Sequence, residues 1–104
     1  MSAERPEVIL INPLPMPSRM LGASLGMPYG PLYLAESLLR NGYTPHIVCA
    51  DVEEAVTEVD RRITPRTLCV GISTMSGTQL THAVAIARRL RPRYPGLPLV
   101  WGVS

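Results

Sequence analysis

The chain has 104 residues, 46% of them hydrophobic, and a formal net charge of +2. A chain of this size makes one domain and buries roughly 60–65% of its unfolded surface, enough for a core without disulfide staples. The composition excludes a disordered chain, and no apolar run reaches membrane-spanning length. All the basic residues are arginines, and apart from Arg61/Arg62 and the group Arg88, Arg89, Arg91 and Arg93 they are scattered. No aromatic ladder is interleaved with them, so nucleic acid is not an expected partner. Cys49 and Cys69 both sit in apolar runs and read as buried thiols of a reducing compartment. The stretch from Met1 to Pro6 does not have the pattern of a secretory leader, and the expected location is the cytoplasm.

In chain order, Val8-Ile9-Leu10-Ile11 is a continuous apolar run bounded by Pro6 and Asn12-Pro13, the look of a strand buried on both faces. Tyr33 to Asn41 follows a helical rhythm through Leu34, Ala35, Leu38 and Leu39, with Pro31 suited to the first turn and Gly42 to a left-handed stop. His46 to Ala50 reads as a second strand. Asp51 then caps a helix, with Glu54 completing a capping box and Val52, Ala55, Val56, Val59 and Ile63 forming the buried stripe. Leu68 to Ile72 is a third strand, and Thr78 to Arg91 a third helix carrying Leu80, Ala83, Val84, Ala87 and Leu90. Pro92 and Pro95-Gly96 end it, and Leu97 to Trp101 is a fourth strand.

Strands and helices therefore alternate, which predicts an α/β fold: a Rossmann-like, doubly wound parallel sheet of about four strands and three helices in one domain spanning residues 1–104. The expected strand order is the flavodoxin-like 2-1-3-4. Ligands of such sheets sit beyond the strand C-termini, where the winding reverses between the first and third strands.

Two connections at that end are unusual. Pro13 to Gly30 is far longer than most strand-to-helix loops and carries four prolines, three methionines (Met16, Met20, Met27), Gly22 and Gly26. Gly71 to Gln79 offers the hydroxyls of Ser73, Thr74, Ser76 and Thr78 with Gly77 at a helix N-terminus, a set suited to a phosphate or an amide-rich ligand. Capping by Ser76 or Thr78 is compatible with such contact. His46 and His82 have no second ligand at metal spacing, so both read as structural and no metal residue is assigned. There is no Ser-His-Asp set, P-loop or acidic pair, and Ser73 stands where a receiver domain would carry its phosphoacceptor aspartate. No catalytic residue is expected in this chain.

Val8-Ile-Leu-Ile-Asn-Pro, Tyr29-Gly-Pro-Leu-Tyr-Leu-Ala, Asn41-Gly-Tyr, Val70-Gly-Ile-Ser-Thr-Met-Ser-Gly-Thr-Gln and Leu99-Val-Trp-Gly, in this order, resemble the N-terminal cobalamin-binding domain of B12-dependent radical SAM enzymes. The resemblance implies a corrin held over the strand C-termini with its nucleotide tail in the sheet crevice. By that match, Asn12, Pro13, Tyr29, Gly30, Ser73, Thr74, Met75, Ser76, Gly77, Thr78, Gln79, Trp101 and Gly102 are the cofactor-binding residues. Asn12-Pro13-Leu14-Pro15 replaces the cobalt-ligating histidine motif of methionine synthase and the mutases, so no histidine ligand is implied. Val103 replaces a second glycine, and the family's fifth strand and radical SAM barrel are missing. S-adenosylmethionine and the iron-sulfur cluster would belong to that barrel, so the resemblance implies either the truncated N-terminal part of a methyltransferase or ring-rearranging enzyme or a short relic of one. Two other readings stand beside it: a flavodoxin-like FMN or phosphate domain, and a non-catalytic interaction module that pairs with another copy or domain through the open edge of the second or fourth strand.

Overall fold

A computed structural model describes residues 5–17, 20, 29–74 and 77–102 of the chain. Its elements alternate as β1 (Glu7–Pro13), α1 (Tyr29–Arg40), β2 (Thr44–Ala50), α2 (Val52–Arg62), β3 (Thr67–Ser73), α3 (Gly77–Arg93) and β4 (Leu99–Gly102). All strand pairs are parallel and the sheet order is β2-β1-β3-β4. The expected Rossmann-like, flavodoxin-ordered fold is the one adopted.

Alternate residues of the strands feed two cores, as the pleat requires. Ile9, Ile11, Val48, Ala50, Val70 and Ile72 face α2 and α3, where Ala55, Val59, Ala83, Ile86 and Leu90 are all fully buried. Val8 and Leu10 face the opposite way and meet Ala35 of α1, with Leu38, Ile47 and Cys69 packed around them. The sheet is thus wound on both sides, with α1 over β1 and β2 on one face and α2 and α3 together on the other.

Helix boundaries show how local signals and packing combine. Asp51 accepts from the Glu54 backbone N–H (2.8 Å) while the Asp51 N–H donates to the Glu54 carboxylate (3.2 Å), the reciprocal box expected at the start of α2. At the end of α1, Gly42 has φ +88 and Tyr43 donates back to Leu38 (2.9 Å), a Schellman stop. Two helix ends differ from the sequence reading by two residues or more. Helix α1 starts at Tyr29, ahead of the apolar rhythm, because Pro31 is a buried first-turn residue whose missing N–H has no helical acceptor to lose. Helix α3 runs through Pro92 to Arg93, and its last turn is held from outside by ion pairing of Arg93 with Asp60 of α2. Pro92 has no N–H to offer the Arg88 carbonyl, so that one bond of the last turn is absent.

Candidate ligand site at the strand C-termini

The winding reverses between β1 and β3. Helix α1 leaves the end of β1 toward one face, and α3 leaves the end of β3 toward the other. Open α/β sheets bind ligands at this end. The side chains converging there are hydrogen-bonding and uncharged. Asn12 is the penultimate residue of β1, Ser73 the last residue of β3, and Thr74 follows it. Register places Ile11 beside Ile72 and Ser73 beside Gly102, so the ends of β1, β3 and β4 form one rim.

Gln79, in the first turn of α3, ties that rim together. Its amide donates to Asn12 Oδ1 at 2.8 Å and to the Pro13 carbonyl at 3.4 Å. Asn12 in turn directs its own amide at Cys49 Sγ, 3.8 Å away. A chain of polar contacts thus runs from α3 across the end of β1 to β2. The parallel register that sets Asn12 beside Cys49 explains why this cysteine joins the rim, although its apolar neighbours make it read as a core thiol. The other cysteine, Cys69, packs in the smaller core, and burial pushes its thiol above the ordinary value.

The rim residues named above carry no formal charge. Asp51 follows directly on β2, but its carboxylate is engaged in capping α2. The charged cluster of the sheet lies at the opposite end, where Glu7 holds His46 (3.1 Å) and Arg66 (2.8 Å). His46 therefore stands at the foot of β2, far from the rim. Among the described residues, no group of three or more His, Cys, Asp or Glu side chains stands ready to hold a metal ion.

Of the residues singled out in the sequence, Asn12, Pro13 and Gln79 are brought into direct contact, with Ser73, Thr74 and the backbone of Gly77, Thr78 and Gly102 on the same rim. Tyr29 and Gly30 open α1 at this end of the sheet. Trp101 reaches the rim only by its backbone. Its half-exposed side chain lies on the α3 face, in a groove of about 280 Å³ with Val84, Ala87, Arg88 and Arg91. Met75 and Ser76 lie outside the described residues, as does most of the long connection before Tyr29. Comparison with family models, curated proteins and solved structures finds no significant match to this chain.

Proposed function

We propose that this chain is a cobalamin-binding module that holds the corrinoid at the C-terminal rim of its sheet and serves a radical SAM barrel acting as methyltransferase or ring-rearranging enzyme in the cytoplasm. The observation that carries the reading is the set Asn12, Ser73, Thr74 and Gln79 at the β1/β3 reversal, neutral hydrogen-bonding groups linked through the Gln79–Asn12 contact. Their chemistry fits the group. A corrin rim carries amide side chains, which pair with amides and hydroxyls, and the Asp51 carboxylate at this end of the sheet is taken up in capping α2. The N-terminus of α3 adds backbone N–H groups beside Gly77 and Thr78.

When bound, the corrinoid supplies methyl transfer or electron transfer through its cobalt. This chain's residues bind and orient. Gln79 and Asn12 would contact the ligand in exchange for their bond to each other, and Ser73 and Thr74 would contact the tail from the end of β3. S-adenosylmethionine and an iron-sulfur cluster belong to the barrel and have no residues here.

The test is retention. The purified chain is incubated with hydroxocobalamin, desalted, and its visible spectrum recorded, with FMN run in parallel. Corrinoid retained near one equivalent, and lost in Ser73→Leu, supports the proposal. Retention of FMN in place of the corrinoid, or corrinoid retention that Ser73→Leu leaves unchanged, overturns it.

A further inference from the structure

Strand β2 forms one edge of the sheet, and its free side has a definite set of donors. Thr44 donates to Pro6 and Ala50 accepts from Leu14 (2.8 Å each), so the even-numbered residues of β2 face β1. The backbone groups of Pro45, Ile47 and Cys49 therefore point outward. Pro45 has no N–H, which leaves Ile47 and Cys49 as the outward donors of this edge. Among the described residues nothing pairs with them.

What flanks this edge is self-complementary. On one face, α2 uses Glu53 and Asp60 to reach Arg89 and Arg93 of α3, which turns its other flank toward the free edge. There Glu54, Glu58 and Arg62 border a groove of about 340 Å³ that runs along Ile47 to Ala50. Helix α2 is also polarised, with Glu53 and Glu54 in its first turn and Arg61 and Arg62 in its last. On the other face, Leu32 and Leu39 lie seven residues apart in one line of α1, beside the sheet-facing Pro31, Ala35 and Leu38. The right-handed crossover from β1 to β2 turns that line outward past β2, where the two leucines are 40% and 51% exposed.

We infer that this edge is a self-association surface, on which β2 of a second copy pairs antiparallel about a two-fold axis at Val48 to make one continuous sheet. In that register Ile47 of each copy exchanges both backbone bonds with Cys49 of the other, and Pro45 falls outside the paired stretch. The two-fold sets α2 antiparallel to its mate, so Glu54 near the start of each helix lies toward Arg62 near the end of the other, where Arg62 also holds Glu58 of its own helix. Leu32 and Leu39 lose water on the opposite face. At the β4 edge no helix of the described residues flanks the strand on the α1 side.

Sedimentation of the full chain from micromolar to near-millimolar concentration, paired with amide hydrogen exchange by NMR, tests this. The expected result is a species of twice 11.4 kDa whose formation protects the Ile47 and Cys49 amides, while His46 and Val48 are already protected in the dilute chain. Ile47→Pro removes an outward donor without touching the β1 ladder, and Leu39→Lys places a charge on an exposed position. Each should weaken association at least tenfold, and circular dichroism of Leu39→Lys should match the parent. A chain that stays monomeric throughout overturns the inference. So does a dimer whose Ile47 and Cys49 amides exchange as freely as in dilute protein, for example one that protects the outward-facing Leu99 and Trp101 amides of β4 instead.

Discussion

Glu7→Gln probes the tie at the foot of the sheet. Glu7 opens β1 with its side chain only 9% exposed, and its two carboxylate oxygens divide between His46 of β2 at 3.1 Å and Arg66, just before β3, at 2.8 Å. One side chain therefore links the N-terminal ends of three neighbouring strands. Burial pushes the Glu7 carboxyl up, but the hydrogen bonds from His46 and Arg66, with their charge, hold it below the ordinary value of 4.5. Glutamine keeps one acceptor oxygen, so one of the two bonds that the carboxylate accepts is lost and the other no longer has an anion as its acceptor. Arg66 is 43% exposed and recovers water when released, which limits the damage. The expected cost at pH 7 is about 1.5–3 kcal/mol, the range for hydrogen bonds to charged groups. Glu36→Gln, which breaks the exposed Glu36–Arg40 pair, should cost under about 0.5 kcal/mol and serves as the control.

Urea unfolding at a series of pH values reads both numbers, with an unchanged m-value marking a stability effect. The sign of the pH dependence follows from the depressed pKa. Glu7 stabilises fully above its unfolded value near 4.5, and its contribution drains away as pH falls through the lower folded value. Parent and Glu7→Gln should therefore converge in acid below pH 4.5. A cost at pH 7 no larger than that of Glu36→Gln would refute the reasoning, as would a difference that stays constant into acid.

Two further substitutions test the local signals. Asp51→Ala removes the cap acceptor of α2 and its half of the reciprocal box, and should cost about 1–2 kcal/mol in urea unfolding. Gly42→Ala places a side chain at φ +88, although no atom lies within 4 Å of the added carbon, so its cost of about 1 kcal/mol should be purely conformational. A thermal midpoint lowered by several degrees is the expected readout for both variants.

The candidate site was legible only in part. Asn12, Ser73 and Gln79 stand out because they close apolar runs or open a helix where the alternation predicts a parallel sheet, and the fold then requires those ends to meet. Cys49 could not be read in this way, since its apolar neighbours match those of a core thiol. Its place beside Asn12 comes from the register of β1 against β2. Trp101 shows the converse. Its position at the end of β4 puts its backbone on the rim, but strand pleating turns the indole to the α3 face.

What the chain determines by itself is local in origin. Continuous apolar runs, the Asp51 box, the Gly42 stop and the helical stripes specify the element order, and right-handed crossovers leave few ways to wind such an order into a sheet. Tertiary structure alone decided which residues face each other across strands. Glu7 meets His46 and Arg66 at separations of 39 and 59 residues, and Gln79 meets Asn12 at 67. A period of two identifies which face a residue lies on but not its height along the neighbouring strand, because a shift of two residues preserves the pattern. Only packing of α1, α2 and α3 against the sheet selects that height, and with it the polar rim at one end and the Glu7 tie at the other.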